Sequence, residues 1–149
     1  MSREHFQLTN QPFDPKDHVT TMYNPAAGGY IDFEGWVRNH NEGKDVTSLE
    51  YEAYPDLANK EGRRILNEAR EKYSILDARC VHRTGHLQVG EIAVWVGVTA
   101  KHREAAFAAC RHIIDKVKAR VPIWKKEHYA DGDSGWVRCE HCATHGHRH

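Results

Sequence analysis

The side chains best suited to chemistry in this sequence are bases placed at the ends of regular elements. Lys101, His102 and Arg103 stand at the start of a helical pattern. Cations there oppose the helix dipole, which favours anions at that end. A bound phosphate would relieve the conflict, because free backbone N–H groups and basic side chains would converge on it; a solvated helix start is the plainer explanation. The run KARVPIWKKE, residues 118–127, carries three more cations of interest. Lys118 falls in a last helical turn, where a cation is electrostatically welcome. Strand alternation sends Lys125 and Lys126 to opposite faces, so one of them turns toward a cleft or the interior. Lysines beside an aromatic such as Trp124 commonly snorkel to the surface, whereas one that enters a partly dry pocket can take part in proton transfer. Arg38, followed by Asn39, His40 and Asn41, lies where a strand runs into a loop, a setting in which sites are built.

The C-terminal CEHCATHGHRH offers a different chemistry. Cys139, Cys142, His145 and His147 could complete a tetrahedral zinc site, although one CxxC in so short a stretch also fits a tail that collects metal adventitiously. His82 and His86 bracket a turn near Gly85 and read as structural. Cys80 and Cys110 read as small core residues. The sequence contains no phosphate loop, GxSxG elbow or HExxH pair.

Positioning these groups calls for a mixed fold. Ile31, Phe33 and Val37 alternate with polar residues and predict a half-buried strand over 30–38. A second strand spans 46–54, with Leu49, Tyr51 and Ala53 on one face. Pro55 opens a helix whose core stripe is Ala58, Gly62, Ile65, Leu66, Ala69 and Tyr73. Strands follow over 78–83 and 91–99, and the second, apolar on both faces, belongs in the middle of a sheet. A helix over 101–120 buries Phe107, Cys110, Ile113, Ile114 and Val117 before Pro122 stops it. A hairpin, 123–129 with 135–139, closes the chain around Asp131-Gly132-Asp133. Strands and helices alternate irregularly, which indicates α+β rather than a doubly wound sheet.

The 149 residues fit one domain, 1–138, with a Cys/His-rich tail over 139–149. Lys+Arg and Asp+Glu both number 21, so bulk charge argues against nucleic-acid binding. No stretch approaches a membrane span, and residues 1–10 lack the apolar run of a signal peptide. A cytoplasmic location is expected.

The stretches WVRNHNEG (36–43), SLEYEAYP (48–55), VHRTGHLQVGE (81–91), VGVTAKHREAAFAA (96–109) and KARVPIWKKE together resemble the large, catalytic subunit of molybdopterin synthase, in that family's order and spacing over residues 29–136. The resemblance implies an α/β-hammerhead core with an added antiparallel β subdomain, and a homodimer at the centre of a heterotetramer. Each large subunit would bind a small ubiquitin-like sulfur carrier ending in a Gly-Gly thiocarboxylate. Two sulfur deliveries would convert cyclic pyranopterin monophosphate to molybdopterin, with no cofactor required for catalysis. The resemblance carries the catalytic roles onto Lys118 and Lys125, and substrate binding onto Arg38, His102 and Arg103. Lys126, Glu127, Val37 and Trp36 would line the pocket.

Two departures stand out. Trp36 occupies a position that is basic in many relatives, and Ala100 replaces a Ser that would cap the second helix. One geometric consequence is independent of the family. His102 and Lys118 are sixteen positions apart on one helix, or roughly 24 Å at about 1.5 Å per residue, so one small substrate cannot touch both ends. A site using both requires a neighbouring subunit. Two other readings remain: a non-catalytic binder of a phosphorylated pterin or ubiquitin-like partner, and a zinc-dependent module built on the tail.

Overall fold

The computed structural model describes residues 5–138, in the order β1 (Phe6–Thr9), α1 (Pro15–Val19), β2 (Gly29–Trp36), β3 (His40–Asn41), β4 (Lys44–Ala53), α2 (Pro55–Lys72), β5 (Asp77–Arg83), β6 (Gly85–Gln88), β7 (Ile92–Ala100), α3 (Arg103–Arg120), β8 (Ile123–Tyr129) and β9 (Ser134–Arg138). The architecture is α+β, as expected. Tail residues Cys139, Cys142, His145 and His147 lie outside the described residues.

The doubly apolar strand β7 takes the central place in a four-stranded sheet ordered β1-β5-β7-β2. It pairs antiparallel with β2 and β5, while β1 adds to β5 in parallel. Helices α2 and α3 cover one face. Ala58, Gly62, Ile65, Leu66 and Ala69 of α2 are buried there, against Phe6, Cys80, Val96 and Val98. On the other face Trp95 is fully buried with Met22 and Val81, and its indole N–H donates to Asp32 Oδ2 at 3.1 Å, the partner a buried tryptophan needs.

The stripe of α3 differs from expectation at its start. Phe107 is 58% exposed, and the buried positions are Ala106, Ala109, Cys110, Ile113, Ile114 and Val117. Both sets fit helical spacing. The observed stripe is rotated toward the alanines, whose small side chains let the first turns of α3 lie close on the sheet. The N-cap is His102, without a side-chain hydrogen bond, and Ala100 is the fully buried last residue of β7. A serine at position 100 would therefore not cap this helix.

The second sheet is built around β4. Strands β8 and β9 extend one edge, while β3 and β6 pair along the other. Strand β6 was not foreseen. Gly85 adopts φ +84°, a left-handed conformation open to glycine, and there the chain leaves β5 and begins pairing with β4. Val37, Leu49, Leu87 and Ala93 form a small core between the sheets.

Candidate active site

A cleft of about 590 Å³ opens where the end of β2, the last turns of α3 and one face of β4 and β8 meet. Trp36, Val37, Arg38, Lys118, Lys125 and Glu127 all line it, joined by Glu34, His40, Leu49, Tyr51 and Asp115. Six residues singled out in the sequence thus converge from three separate segments.

Alternation along β8 turns Lys125, Glu127 and Tyr129 to the same side. Lys125 Nζ lies 3.3 Å from Glu127 Oε2, with side-chain exposures of 13% and 4%. Asn41 donates to both Glu127 oxygens, at 2.9 and 3.1 Å, and the Tyr129 hydroxyl donates to Oε1 at 2.8 Å. Burial acts to raise the Glu127 pKa, but Asn41, Lys125 and Tyr129 outweigh it and hold the carboxyl below its ordinary range. Arg38 reaches this network from the rim, donating to Asn41 Oδ1 at 3.4 Å. Asn41 and the loop before it are thereby tied to β8.

Lys118 is half-buried in the last turn of α3. Among the described residues it makes no hydrogen bond or ion pair. Its neighbour in the cleft, Asp115, pairs with Arg111 at 3.7 Å. The carboxylate of Glu127 is likewise occupied. Lys118 and the exposed guanidinium of Arg38 are therefore the charges left to meet an anionic ligand. Two residues on, Arg120 fixes this helix end to α2, donating to Glu61 at 2.6 Å and to both Glu68 oxygens at 2.6 and 3.0 Å. Those hydrogen bonds lower the Glu68 pKa and raise that of Arg120, a bidentate anchor that sets where Lys118 emerges.

Behind the cleft His82 is fully buried, its ring edge-on to Tyr51 at 4.9 Å. Its Nδ1 lies 2.8 Å from the Arg83 carbonyl oxygen, which can only accept, so Nδ1 carries the proton. Burial, reinforced by the Lys118 charge and opposed by the Arg83 carbonyl, pulls its pKa down to about 4. His82 is a neutral wall, in keeping with a structural role.

Three expected residues do not join this cleft. Lys126 faces the opposite side of β8, with Nζ 5.6 Å from the Trp136 ring centre; the pocket-lining expectation is corrected by the same alternation that brings Lys125 and Glu127 in. His102 and Arg103 line a separate depression of about 470 Å³ with Gly28, Lys101 and Glu104, at the other end of α3. Tyr129 and Asp115 were missed, although their spacing announced them. Tyr129 is two residues from Glu127 on a strand, and Asp115 three from Lys118 on a helix.

Comparison with known proteins bears on this geometry. The MoaE protein family model matches residues 8–120. A curated relative from Thermoplasma volcanium, named molybdopterin synthase catalytic subunit, is 40% identical over 136 residues, covering 91% of this chain and 99% of its own length. The X-ray crystal structure of molybdopterin synthase from Staphylococcus aureus superposes with a TM-score of 0.85 at 35% identity, over 91% of this chain and 98% of that one. A further structure, a complex of subunits 1 and 2 of the molybdopterin-converting factor from Helicobacter pylori, matches with a TM-score of 0.72 at 17% identity, over 89% of this chain and 90% of that one, a likeness of fold. A match that runs from β1 through the whole of α3, with relatives alike over nearly their full length, makes this chain a member of the MoaE protein family.

Proposed function

We propose that this chain is the sulfur-transferring catalytic subunit of a molybdopterin synthase, working in the cytoplasm on cyclic pyranopterin monophosphate. The observation that carries the reading is the convergence of Lys118 and Lys125, from a helix end and a strand, on one cleft with Arg38 at its rim. Family membership supports the same reading.

The sulfur arrives on a small ubiquitin-like partner as a C-terminal thiocarboxylate, so neither Cys80 nor Cys110, both buried, needs to be a nucleophile. The thiocarboxylate sulfur forms a C–S bond to the pterin side chain as a C–O bond breaks and its oxygen departs. Water then cleaves the acyl–sulfur bond through a tetrahedral adduct, leaving the sulfur on the pterin and the carrier as a carboxylate. Lys125, oriented by Glu127, supplies a fixed positive charge near the developing anion. Lys118, without a protein partner among the described residues, is available to the substrate as acid or electrostatic clamp. Arg38 holds the phosphate by paired hydrogen bonds.

His102 and Arg103 act from the other subunit of a homodimer. Their depression and the Lys118 cleft lie at opposite ends of the eighteen-residue helix α3. A single chain cannot present both to one pterin, and two chains related by a twofold axis can.

The test is a reconstituted turnover assay with this protein, a thiocarboxylated small subunit and the cyclic precursor, following molybdopterin as its fluorescent oxidation product. Product from the native chain but not from Lys118→Ala supports the enzyme. A complex that forms without turnover points instead to a binding protein on the same fold.

A further inference from the structure

On the face of the second sheet turned away from the cleft, three strands bring two imidazoles and a carboxylate together. Glu50 stands on β4, with His86 of β6 directly beside it in register. His128 of β8 lies diagonally across, paired with Ser48. One ligand atom from each residue lies within 4.8 Å of the other two. His128 Nε2 is 3.6 Å from Glu50 Oε1, and the two imidazole rings are 6.0 Å apart, tilted by 37°.

We propose that Glu50, His86 and His128 form a binding site for one divalent transition-metal ion of the zinc class, separate from the catalytic cleft. The donor set suits such an ion. Imidazole nitrogens and a carboxylate oxygen are borderline and hard donors of the kind Zn²⁺ and Co²⁺ accept, and three protein ligands leave a fourth tetrahedral position for water. Donor atoms around a tetrahedral zinc sit about 3.3 Å from one another, given metal–ligand bonds near 2.0–2.1 Å. With the backbone fixed by the ladders of β4, β6 and β8, metal binding would require the three side chains to rotate from the observed spacing to that one.

A simple ion pair explains less. It accounts for Glu50 and His128 but gives no role to His86, whose ring makes no hydrogen bond among the described residues. Lys126 stands directly opposite Glu50 in the register, yet its ammonium lies over the Trp136 ring and the Glu50 carboxylate faces the histidines. The ion would tie the short strand β6 to β4 and β8. Those are the strands whose other face presents Tyr51, Lys125 and Glu127 to the cleft, so the site would stiffen the catalytic wall from behind.

The C-terminal thiolates would compete for metal, so the test uses the full chain with Cys139→Ser and Cys142→Ser, stripped with chelator and dialysed against Zn²⁺. One equivalent per chain is expected, lost on further substitution of His86→Ala or His128→Ala and weakened by Glu50→Gln. With Co²⁺ as reporter, the double-serine chain should show weak visible d–d bands without intense thiolate charge transfer in the near ultraviolet. His86 is exposed on an edge strand, so its variant tests the site even if His128→Ala fails to fold, as melting curves would reveal. The proposal is overturned if the double-serine chain binds no zinc, or if its equivalent survives His86→Ala.

Discussion

Lys125 and Glu127 are alternate residues of β8, and their side chains meet at 3.3 Å in a setting that leaves them 13% and 4% exposed. The pleat puts both on the cleft face, and the low exposure makes their charges interdependent. A nearly dry ion pair adds little net stability compared with an apolar pair, but removing one partner leaves the other uncompensated. Glu127 also gathers Asn41 and Tyr129, so one carboxylate both holds Lys125 and ties the β3 loop to β8.

Glu127→Ala should therefore cost on the order of 3 kcal/mol in folding stability. Urea denaturation would read it as a lowered midpoint with an unchanged slope. Glu127→Gln keeps the volume and one acceptor, so it should cost less stability while still depressing turnover, because Lys125 loses its counter-charge. A Glu127→Ala chain as stable as the native one would show that the network does not hold the cleft together.

Lys118 predicts the opposite pattern. It is half-buried with no partner among the described residues, so Lys118→Ala should leave the melting temperature nearly unchanged. Turnover should fall roughly 100-fold or more, the scale of a lost general acid or electrostatic contact. Lys118→Arg separates the two roles: guanidinium keeps the charge but does not release a proton. Substantial recovery with Arg would identify a clamp, and none would identify proton transfer. A Lys118→Ala enzyme at native turnover would remove the residue from the mechanism.

The parts of this site that were legible in the sequence were those governed by a single local rule. Alternation separates Lys125 from Lys126, and dipole logic makes a home for Lys118 at a helix end. The α2 stripe at 58, 62, 65, 66 and 69 follows from period alone. What failed depended on tertiary partners. Phe107 and Ala106 fit the helical stripe about equally well, and only the close approach of α3 to the sheet selects the alanine. β6 is short and lies in a stretch that reads as a turn, and its strand character comes from β4. The Asn41–Glu127 link spans 86 positions, beyond any pattern of local spacing.

The proposed composite site, shared across a homodimer, makes a prediction that neither end of α3 could make alone. Arg103→Ala and Lys118→Ala should each abolish most turnover as homodimers. Co-expressed, the two chains should form mixed dimers in which one interface cleft keeps both native residues, recovering about a quarter of native activity at equal expression and random pairing, with one intact site out of two in half of the dimers. No recovery, with mixed dimers demonstrated by differential tagging, would place the two depressions in separate functions.

His82 links the back wall of the cleft to pH. Its folded-state pKa, about 4, lies below the ordinary value near 6.5, so the unfolded chain takes up the proton first. Stability is then fully present above about pH 6.5, falls as pH drops through the window from 6.5 to 4, and levels off below it. Roughly 3 kcal/mol is at stake across that window, with a slope of at most about 1.4 kcal/mol per pH unit. Tyr51 presents a ring edge to His82, and the Lys118 charge works in the same direction as burial. His112, its pKa lowered by burial and by Lys72 and Lys116, adds a slope of the same sign. The carboxyls of Glu91 and Glu127, already held low, lose their contribution at more acid pH. His82→Asn isolates the effect, since the Asn amide can still donate to the Arg83 carbonyl yet has no proton to gain. Its stability should be lower than native at pH 7.5, where a smaller side chain fills the same space. Between pH 6.5 and 4.5 its stability should fall less steeply, so the two curves converge. Parallel curves for native and variant chains would mean that His82 titrates normally and is not the neutral wall its surroundings make it.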